Sequence, residues 1–349
     1  MRRSRLSTSR PGTSRAATRA GTSRAGTRAA GLLLGHAADR LLGDPRRFHP
    51  VAGFGTVAGA LERRLHADSR ARGAAYTALL VGGAAALGIT AERAAARRPA
   101  LHLAVTAAAT WAVLGGRSLE REASAVHAHL AAPDLPAARR RLRSLVGRDT
   151  TTLDEGQVAR AVVESVAENT SDAVVAPLVW GALTGVPGLL AYRAANTLDA
   201  MVGHRTPRHE RFGWASARLD DLLNLPGARL AGLLAAAASP TGPAGPLRAW
   251  HRDAAGHPSP NAGVVEASFA GALGVTLGGT NHYASGTEHR PTMGDGPPPT
   301  PPDIPRATTL ARRVGLGAAL TAAAFAATRA ARAQPAPGLR RRQRPSGSR

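Results

Sequence analysis

The sequence VVESVAENTSDAVVAPLVWGALTGVPGLLAY (162–192) places three carboxylates directly before a long apolar run. Glu164, Glu168 and Asp172 are spaced four residues apart, so they share one face of a predicted helix. Like charges at this spacing repel one another, and burying them in a core or a membrane costs far more. We therefore expect a cation, either a metal ion or a charged substrate, to compensate them.

The basic residues are unevenly distributed along the 349-residue chain. All 45 are arginine and the net charge is +22, but residues 1–29 and 329–349 hold 8 and 7 arginines without an acid. Aromatic residues, which stack bases, make up only 3% of the chain, so the composition does not favour a specific nucleic-acid partner. The absence of cysteine excludes disulfides, thiolate nucleophiles and cysteine-based metal sites.

Five apolar stretches approach the length of a membrane span, which is about 17–25 residues. They are Tyr76–Ala91, Ala100–Gly116, Ala173–Tyr192, Gly263–Gly279 and Val314–Thr328. Each alone fits a buried core helix equally well, but five of them flanked by arginine clusters favour a multi-pass protein of the inner (plasma) membrane. The arginine-rich ends predict that both termini face the cytoplasm, which requires an even number of spans.

No segment alternates polar and apolar residues as a half-buried strand would. We therefore expect an all-α, multi-pass membrane helical bundle whose interrupted helices line a polar cavity. Residues 1–29, which contain the repeat TSRAATRAG–TSRAGTRAA, are predicted to form a disordered extension, and 329–349 a disordered basic tail. Between them we predict a membrane-embedded domain at 30–293, a proline-rich linker at 294–305 and an apolar helix at 306–328.

Start and stop signals bracket the acidic segment. Thr152 and Glu155 form a predicted capping box, and Pro177 is expected to end the helix where the apolar run begins. Arg160 can pair with Glu164, which leaves the next two carboxylates without a local partner. Such a helix can line a polar cavity, and a solvated face closed by arginine pairs is the alternative.

Two further segments repeat the acidic pattern, YRAANTLDAMVGHR (192–205) and RLDDLLNLPGAR (218–229). In the second, Pro226 is expected to stop the helix. Carboxylates combined with amide oxygens suit Mg²⁺, although buried Asn and Asp also join helices to one another. The polar residues concerned are Arg193, Asn196, Asp199, Arg218, Asp220, Asp221 and Asn224.

Three turn or glycine motifs complete the pattern. Asn261 in SPNAG (259–263) is a predicted helix N-cap, and the amides of that turn can hold a phosphate or a carboxylate. GVTLG (274–278) is a predicted helix-packing face. DRLLGDPRRFHPVAGFG (39–55) fits either a polar cap over a membrane cavity or a plain connection between helices. No nucleotide-binding glycine motif is present in the sequence.

Five segments, taken together and in order, resemble the CobD/CbiB family of cobalamin biosynthesis proteins, which are membrane-embedded adenosylcobinamide-phosphate synthases. The likeness covers roughly residues 31–295, whereas the basic ends and YASGTEHR (283–290) depart from the family pattern. The matching segments are GDPRRFHPV (43–51), GRDTTTLDEGQVARAVVESVAENTSDAVVAPLVWG (147–181), YRAANTLDAMVGHR (192–205), FGWASARLDDLLNLPGAR (212–229) and SPNAGVVEASFAGALGVTLGG (259–279).

The resemblance implies an ATP-dependent amide ligation that joins (R)-1-amino-2-propanol, or its phosphate, to a propionate carboxylate of adenosylcobyric acid. Here the corrinoid is a substrate, and other late cobalamin-pathway enzymes of the membrane are candidate partners. Because a carboxylate is a poor electrophile, ATP is expected to activate it as an acyl phosphate, with Mg²⁺ neutralising phosphate charge. The ammonium group must lose a proton before it attacks, and a carboxylate can serve as the base.

We assign candidate roles to the polar residues as a set. The catalytic candidates are Glu164, Glu168, Asp172 and Asp199. The metal candidates are Glu168, Asp172, Asp220 and Asp221. The substrate-binding candidates are Arg148, Asn169, Arg193, Asn196, Arg218, Asn224 and Asn261. The alternative function is a multi-pass transporter or corrinoid-handling protein without catalysis, but the internal repeats expected of a transporter are not found beyond the nine-residue repeat.

Overall fold

This computed structural model describes residues 12–45, 49–204, 206–283 and 286–332. The predicted all-α class is confirmed. Two π-helical turns interrupt the helices: the first, Ser171–Val175, joins α7 to α8, and the second, Asp199–Gly203, extends α9. The helices are α1 (Gly12–Leu42), α2 (Pro50–Leu65), α3 (Arg70–Ala95), α4 (Pro99–Val113), α5 (Gly116–Ala131), α6 (Leu135–Leu142), α7 (Glu155–Thr170), α8 (Ala176–Thr184), α9 (Val186–Leu198), α10 (Trp214–Ala238), α11 (Ala244–Asp253), α12 (Ala262–Leu273) and α13 (Asp303–Arg332).

A two-stranded antiparallel hairpin follows α12 and departs from the expected absence of strands. Strand β1 (Leu277–Tyr283) pairs with β2 (Gly286–Met293), and a bulge lies between Leu277 and Gly279. The sequences LGGTNHY and GTEHRPTM lack the alternation by which half-buried strands are recognised. The predicted packing motif GVTLG falls at this junction and is wrong, because Gly274 has a left-handed backbone (φ 69°) that ends α12.

Close helix packing through paired glycines occurs instead between α1 and α4. A β-carbon at Gly31 would lie 2.6 Å from Thr106 Cβ, and one at Gly35 would clash with Thr110. The two glycines are four residues apart, so they form the small-residue face that allows two helix backbones to approach. Helix α13 also packs against α1.

In the part of the chain that the structure describes, three helices are long and apolar enough to cross a membrane. They are Arg70–Ala95, Pro99–Ala131 and Asp303–Arg329, and they contain three of the five predicted stretches. The other two predicted stretches do not form spans, because Gly185 separates α8 from α9 and α12 ends at Leu273 after 12 residues. Three is an odd number, so the candidate spans among the described residues do not agree with the even number predicted, and the orientation of the termini stays a prediction.

Charged residues mark both ends of this apolar bundle. At one end, Arg28 of α1 forms a 3.3 Å ion pair with Glu92 of α3. At the other end, Arg40 of α1 pairs with Glu120 of α5. The first π-helical turn lies at this second end, where it accepts a hydrogen bond from the backbone amide of Gly115.

The N-terminal boundary differs from the prediction. Helix α1 begins at Gly12, so the boundary predicted at Ala30 lies inside a helix. Half of residues 12–29 are Gly, Ser or Thr, which are weak helix formers, so helix propensity alone does not account for this part of α1. Residues 1–11 of the predicted extension lie outside the described residues.

The C-terminal segments differ less from the predicted boundaries. The proline-rich linker predicted at 294–305 is packed, because the Thr276 amide donates to the Pro297 carbonyl (2.9 Å). The last helix begins at Asp303, three residues earlier than predicted. Most of the predicted basic tail, residues 333–349, lies outside the described residues.

Candidate active site

Helix α7, which carries Glu164 and Glu168, begins with a capping box. The predicted pair of Thr152 and Glu155 is wrong, because Asp154 and Gln157 form the box instead. The Gln157 amide donates to Asp154 Oδ1 (2.8 Å), and the Asp154 amide donates to Gln157 Oε1 (2.9 Å). Aspartate caps a helix as well as threonine does, and glutamine can replace glutamate at the third helical position. The predicted and the observed pair therefore both fit the sequence pattern of a capping box.

The first π-helical turn positions Asp172. Pro177 does not end the helix as predicted, because this turn carries the chain directly into α8. Proline has no N–H group, so Pro177 cannot donate to the carbonyl of Ala173, as in an α-helix, or to that of Asp172, as in a π-helix. Both carbonyls therefore need other donors. The Tyr192 hydroxyl donates to the Asp172 carbonyl (3.0 Å), and the Gly115 amide donates to the Ala173 carbonyl (3.2 Å).

The second π-helical turn positions Asp199. Helix α9 carries Arg193 and Asn196 on the predicted strip, and Arg193 Nη1 donates to Asn196 Oδ1 (3.3 Å). The turn begins at Asp199 itself. A π-helical turn adds a residue to the local repeat and so changes the direction of the side chains on it, and such turns are frequent at functional sites.

Helix α10 contributes a buried carboxylate held by amides. Asp220 and Asn224 are 8% and 1% exposed. The Asn224 amide donates to Asp220 Oδ2 (2.9 Å), and Asn196 donates to Asp220 Oδ1 (3.3 Å). The single hydroxyl proton of Tyr192 is shared between Asn224 Oδ1 (2.7 Å) and the Asp172 carbonyl of the first π-helical turn (3.0 Å). One hydrogen-bonded chain therefore joins α9, α10 and the turn.

The prediction that Pro226 stops α10 is wrong, because the helix continues to Ala238. A proline inside a helix leaves carbonyls of the preceding turn without their usual hydrogen-bond donor. Side chains from other helices donate there: Asn261 Nδ2 to the Asp221 carbonyl (2.7 Å) and Trp180 Nε1 to the Leu223 carbonyl (2.8 Å).

The structure brings Glu168, Asp172, Asp199 and Asp220 together, and we call them the four-carboxylate cluster. Burial is the main cause that raises the pKa of each: to about 6 for Asp199, to about 7 for Asp220, and above the ordinary range for Glu168 and Asp172. Repulsion adds to burial, since Asp220 and Glu168 raise the pKa of Asp172 and Asp199 raises that of Asp220. Perturbed carboxylates gathered in this way are a mark of functional sites.

The four-carboxylate cluster is in part accessible to solvent. Glu168 is exposed, Asp172 and Asp199 are half-buried, and Asp220 is buried. A ligand can therefore reach three of the four carboxylates from the surface.

One arginine and the Gly-Asp-Pro turn border the cluster. Arg193 lies within electrostatic range of Asp172, Asp220 and Asp44, and among the described residues its buried Nε has no hydrogen-bond partner. Asp44 Oδ2 is 3.5 Å from His49 Nε2. Of the two interpretations of segment 39–55, these contacts favour the polar cap, because they place Asp44 beside an arginine that borders the cluster.

Glu164, one turn before Glu168, has a different environment. It is 4% exposed, and its Oε2 accepts a hydrogen bond from Arg148 (2.5 Å). Its Oε1 accepts one from the Gly278 amide (2.9 Å) and lies 3.8 Å from Arg160 Nε. The predicted pairing of Arg160 with Glu164 is confirmed. These contacts join α7 to the hairpin and favour a structural role for Glu164.

The remaining candidates make their contacts with groups outside the four-carboxylate cluster. Arg218 is 65% exposed at its side chain and 3.8 Å from Asp221. Asn261 makes no side-chain cap, contrary to prediction, because it accepts from Arg229 (2.6 Å) and donates to α10. Asn169 donates to a carbonyl of its own helix (2.9 Å).

The described residues contain no group of three carboxylates or imidazoles close enough to form a ready-made metal site. Mg²⁺, however, needs only one or two protein carboxylates and completes its shell with water and phosphate oxygens. The poorly compensated charge of the four-carboxylate cluster fits such an ion. Asp172 and Asp220 would hold it, since Asp220 is the strongest charged influence on Asp172.

Two residues near the site are absent from the predicted set. Glu266 on α12 is 1% exposed, lies within electrostatic range of Glu168, and has an Oε1 that is 3.7 Å from His257 Nε2. The lone acid in the apolar run VVEASFAGA was the signal that could have identified it. The second residue is Tyr192, and the signal that could have identified it was a hydroxyl at the end of an apolar stretch.

Comparison with known proteins identifies the family. The sequence model of the CobD/Cbib protein family matches residues 32–311. The cobalamin biosynthesis protein CobD of Mycobacterium tuberculosis is 51% identical over 295 residues, which cover 84% of this chain and 94% of that protein. The CobD protein of Chromobacterium violaceum is 46% identical over 298 residues, which cover 82% of this chain and 93% of that protein. The CobD protein of Geobacter metallireducens is 47% identical over 265 residues, which cover 74% of this chain and 83% of that protein. No solved structure matches significantly. With matches over most of its length, the chain belongs to the CobD/CbiB family of cobalamin biosynthesis proteins.

Proposed function

We propose that this protein is an ATP-dependent amide ligase that joins (R)-1-amino-2-propanol, or its phosphate, to a propionate carboxylate of adenosylcobyric acid. Its role in cobalamin biosynthesis follows from family membership, and the reaction with its substrates is the proposal. The observation that carries it is the four-carboxylate cluster, which gathers acids with raised pKa values where solvent can reach three of them.

The cluster suits an amine substrate in two ways. Its negative charge attracts the ammonium group, and its raised pKa values suit proton transfer near neutral pH. An alkylammonium with a pKa of about 10 has to lose a proton before its nitrogen can attack. Asp199, with a pKa of about 6, is the candidate base. Asp220, which two amides hold in place, is left to bind the metal ion.

The carboxylate substrate needs activation and charge neutralisation. As the new C–N bond forms, the C–O bond of the activated propionate breaks and its oxygen leaves with phosphate. When bound, Mg²⁺ would supply Lewis-acid neutralisation of phosphate charge, with Asp172 and Asp220 holding it. Arg193, whose Nε has no partner among the described residues, would donate to a phosphate or a substrate carboxylate.

The test is an assay on membranes that contain the protein, with adenosylcobyric acid, ATP, Mg²⁺ and aminopropanol phosphate, and detection of the amide by mass spectrometry. We expect product only when all four components are present, and loss of product when EDTA removes Mg²⁺. Glu168→Gln should abolish product and fail to complement a cobalamin auxotroph. Glu155→Gln, an exposed carboxylate on the same helix, is the matched control and should be fully active.

Two outcomes would contradict this proposal. Full complementation by Glu168→Gln would remove that residue from the site. Uptake of adenosylcobyric acid into vesicles, without any ATP-dependent gain in corrinoid mass, would favour the transporter alternative. The second outcome can be measured in the same preparation by separating vesicles from the medium before mass spectrometry.

A further inference from the structure

A second polar cavity lies outside the four-carboxylate cluster, between α5, α6 and the first turns of α13. Its volume is about 610 Å³. The residues that give it its chemistry are Arg117, Arg121, Arg141, Arg312, Ser124 and Thr308. We call this cavity the arginine pocket. Guanidinium groups combined with hydroxyls are the donors that phosphate oxygens accept from most strongly.

Two of the arginines have no carboxylate partner. Within the described ranges, Arg121 makes no ion pair or side-chain hydrogen bond, and the side chain of Arg312 bonds only the Thr309 hydroxyl (3.0 Å). Both side chains are exposed to the cavity. Their charge is therefore available to an anion that enters it.

The carboxylates nearby are already engaged by other arginines. Glu120 accepts two hydrogen bonds from Arg40, one of them 2.9 Å long, so its 3.9 Å contact with Arg117 adds little. Glu122 is similarly engaged by Arg141 at 2.5 Å. Four cavity arginines and Arg40 thus face two carboxylates, and the pocket keeps a positive excess.

The arginine pocket adjoins the ends of the apolar parts of two candidate membrane spans. Arg117 directly follows the apolar part of the candidate span Pro99–Ala131, and Arg312 precedes the apolar part of Asp303–Arg329. From these arginines the pocket lining extends along both helices for seven residues, to Ser124 and Pro305, a rise of about 10 Å. A headgroup layer is roughly 5–7 Å thick on each side of the hydrocarbon core. The cavity therefore begins where acyl chains end.

We propose that the arginine pocket binds the phosphate of an anionic phospholipid headgroup. Basic pockets between membrane helices are suited to such lipids, because the attraction acts at the surface where the phosphates lie. A soluble polyphosphate shares the same chemistry, but the depth of the pocket favours the lipid. The site is separate from the four-carboxylate cluster and does not depend on the ligase proposal.

The experiment compares lipid retention by purified full-length protein in native mass spectrometry, with phosphatidylglycerol and phosphatidylcholine supplied in equal amounts. The wild type should retain phosphatidylglycerol preferentially. Arg121→Gln with Arg312→Gln should lower that preference by roughly five-fold for each arginine. Arg63→Gln with Arg64→Gln removes the same charge from exposed positions on α2 and should keep the preference. Arg121→Lys with Arg312→Lys, which keeps the charge, should retain most of it.

Equal preference in wild type and Arg121→Gln/Arg312→Gln protein overturns the proposal. A soluble ligand is distinguished by titrating fluorescent ATP into protein held in nanodiscs of phosphatidylcholine alone. If the double glutamine variant loses ATP binding while its phosphatidylglycerol preference is unchanged, the pocket serves a nucleotide and the lipid assignment is wrong. Equal melting temperatures in lipid-free detergent show that the variant is folded.

Discussion

Two glutamates one turn apart on α7 have opposite environments. Glu164 is 4% exposed and is closed by Arg148, Arg160 and the Gly278 amide. Glu168 is exposed, and both cations such as Arg290 and carboxylates such as Asp172 lie within electrostatic range of it. The same residue type on the same helix face therefore has two environments. A closed ion pair suits a structural role, whereas an exposed carboxylate is accessible to a ligand.

This contrast extends to whole regions. The ion pairs around Glu164 join α7 to the hairpin, and breaking such a buried pair is costly. In the four-carboxylate cluster, the hydrogen bonds to Asp220 come instead from neutral groups, the amides of Asn196 and Asn224. These amides fix the position of Asp220 without cancelling its charge. The variants below separate effects on catalysis from effects on stability.

The largest expected effect is on catalysis within the cluster. Asp172→Asn should lower the rate of amide formation by at least about 100-fold, because loss of a positioned acid–base or metal-binding carboxylate has that order of effect. Its melting temperature should be equal to or above that of the wild type, since repulsion within the cluster is relieved. The rate is measured by mass spectrometry on equal amounts of folded protein. An active Asp172→Asn protein would show that the cluster is not the reaction centre.

Glu164→Gln should show the reverse pattern. Removing the carboxylate from a buried ion pair costs about 3–5 kcal/mol, so the yield and the melting temperature should fall markedly. The rate per folded molecule should change much less. The measurement is thermal unfolding in detergent alongside the activity of the surviving folded fraction. A stable but inactive Glu164→Gln protein would place Glu164 in the reaction and erase the contrast along α7.

Asp220→Asn tests the pH dependence that the cluster imposes. The folded-state pKa of Asp220 is about 7, above its ordinary value of 3.8, so the folded protein binds this proton more tightly than the unfolded chain does. Stability should therefore fall as pH rises from about 4 to about 7, by on the order of a few kcal/mol. Asp220→Asn should lose this dependence and exceed the wild type in melting temperature above pH 7.

The same residue predicts the response to Mg²⁺. Mg²⁺ should raise the melting temperature of the wild type at pH 8, where the carboxylate is charged, more than that of Asp220→Asn.

The pH profile of activity tests Asp199 as the base. Because the pKa of Asp199 is about 6, the wild-type rate should rise with pH up to about 6, and this limb should be absent from Asp199→Asn. Identical pH profiles for the two proteins would exclude Asp199 as the base.

The sequence was sufficient to predict the helical class and to select the carboxylates that converge. Four-residue spacing in an apolar context predicted the shared face of Glu164 and Glu168, and local pattern is reliable for long helices. Spacing could not distinguish them, because Arg148 and Gly278 approach Glu164 from distant parts of the chain. Tertiary contacts of this kind are invisible to a local pattern.

The local errors have a common physical origin. Pro177 and Pro226 were each predicted to end a helix, yet the chain stays helical through both positions. The donors that make this possible, such as Tyr192 and Trp180, come from other helices. A proline interrupts a helix when the freed carbonyls have no other partner, and the sequence alone does not reveal that partner.

Tyr192→Phe should have a smaller effect than any change of a carboxylate. It removes the hydroxyl that donates to the Asp172 carbonyl and to Asn224, and leaving buried acceptors unsatisfied costs about 1–3 kcal/mol. Activity should fall only several-fold, because the carboxylates remain. A readout specific to positioning is the Mg²⁺ concentration for half-maximal rate, which should rise. No change in either quantity would mean that the chain joining α9, α10 and the turn does not set the site geometry.

Arg218→Gln should have the smallest effect, although spacing selected Arg218 as a substrate ligand. Its side chain is 65% exposed and its 3.8 Å contact with Asp221 is a surface pair, which contributes about 0–1 kcal/mol. We expect a shift in stability within about 0.5 kcal/mol and a rate within about two-fold of the wild type. Kinetics at varied adenosylcobyric acid concentration measure this. A large rise in KM with normal stability would mean that the corrinoid extends to this edge, and that the uncompensated region is larger than the four-carboxylate cluster.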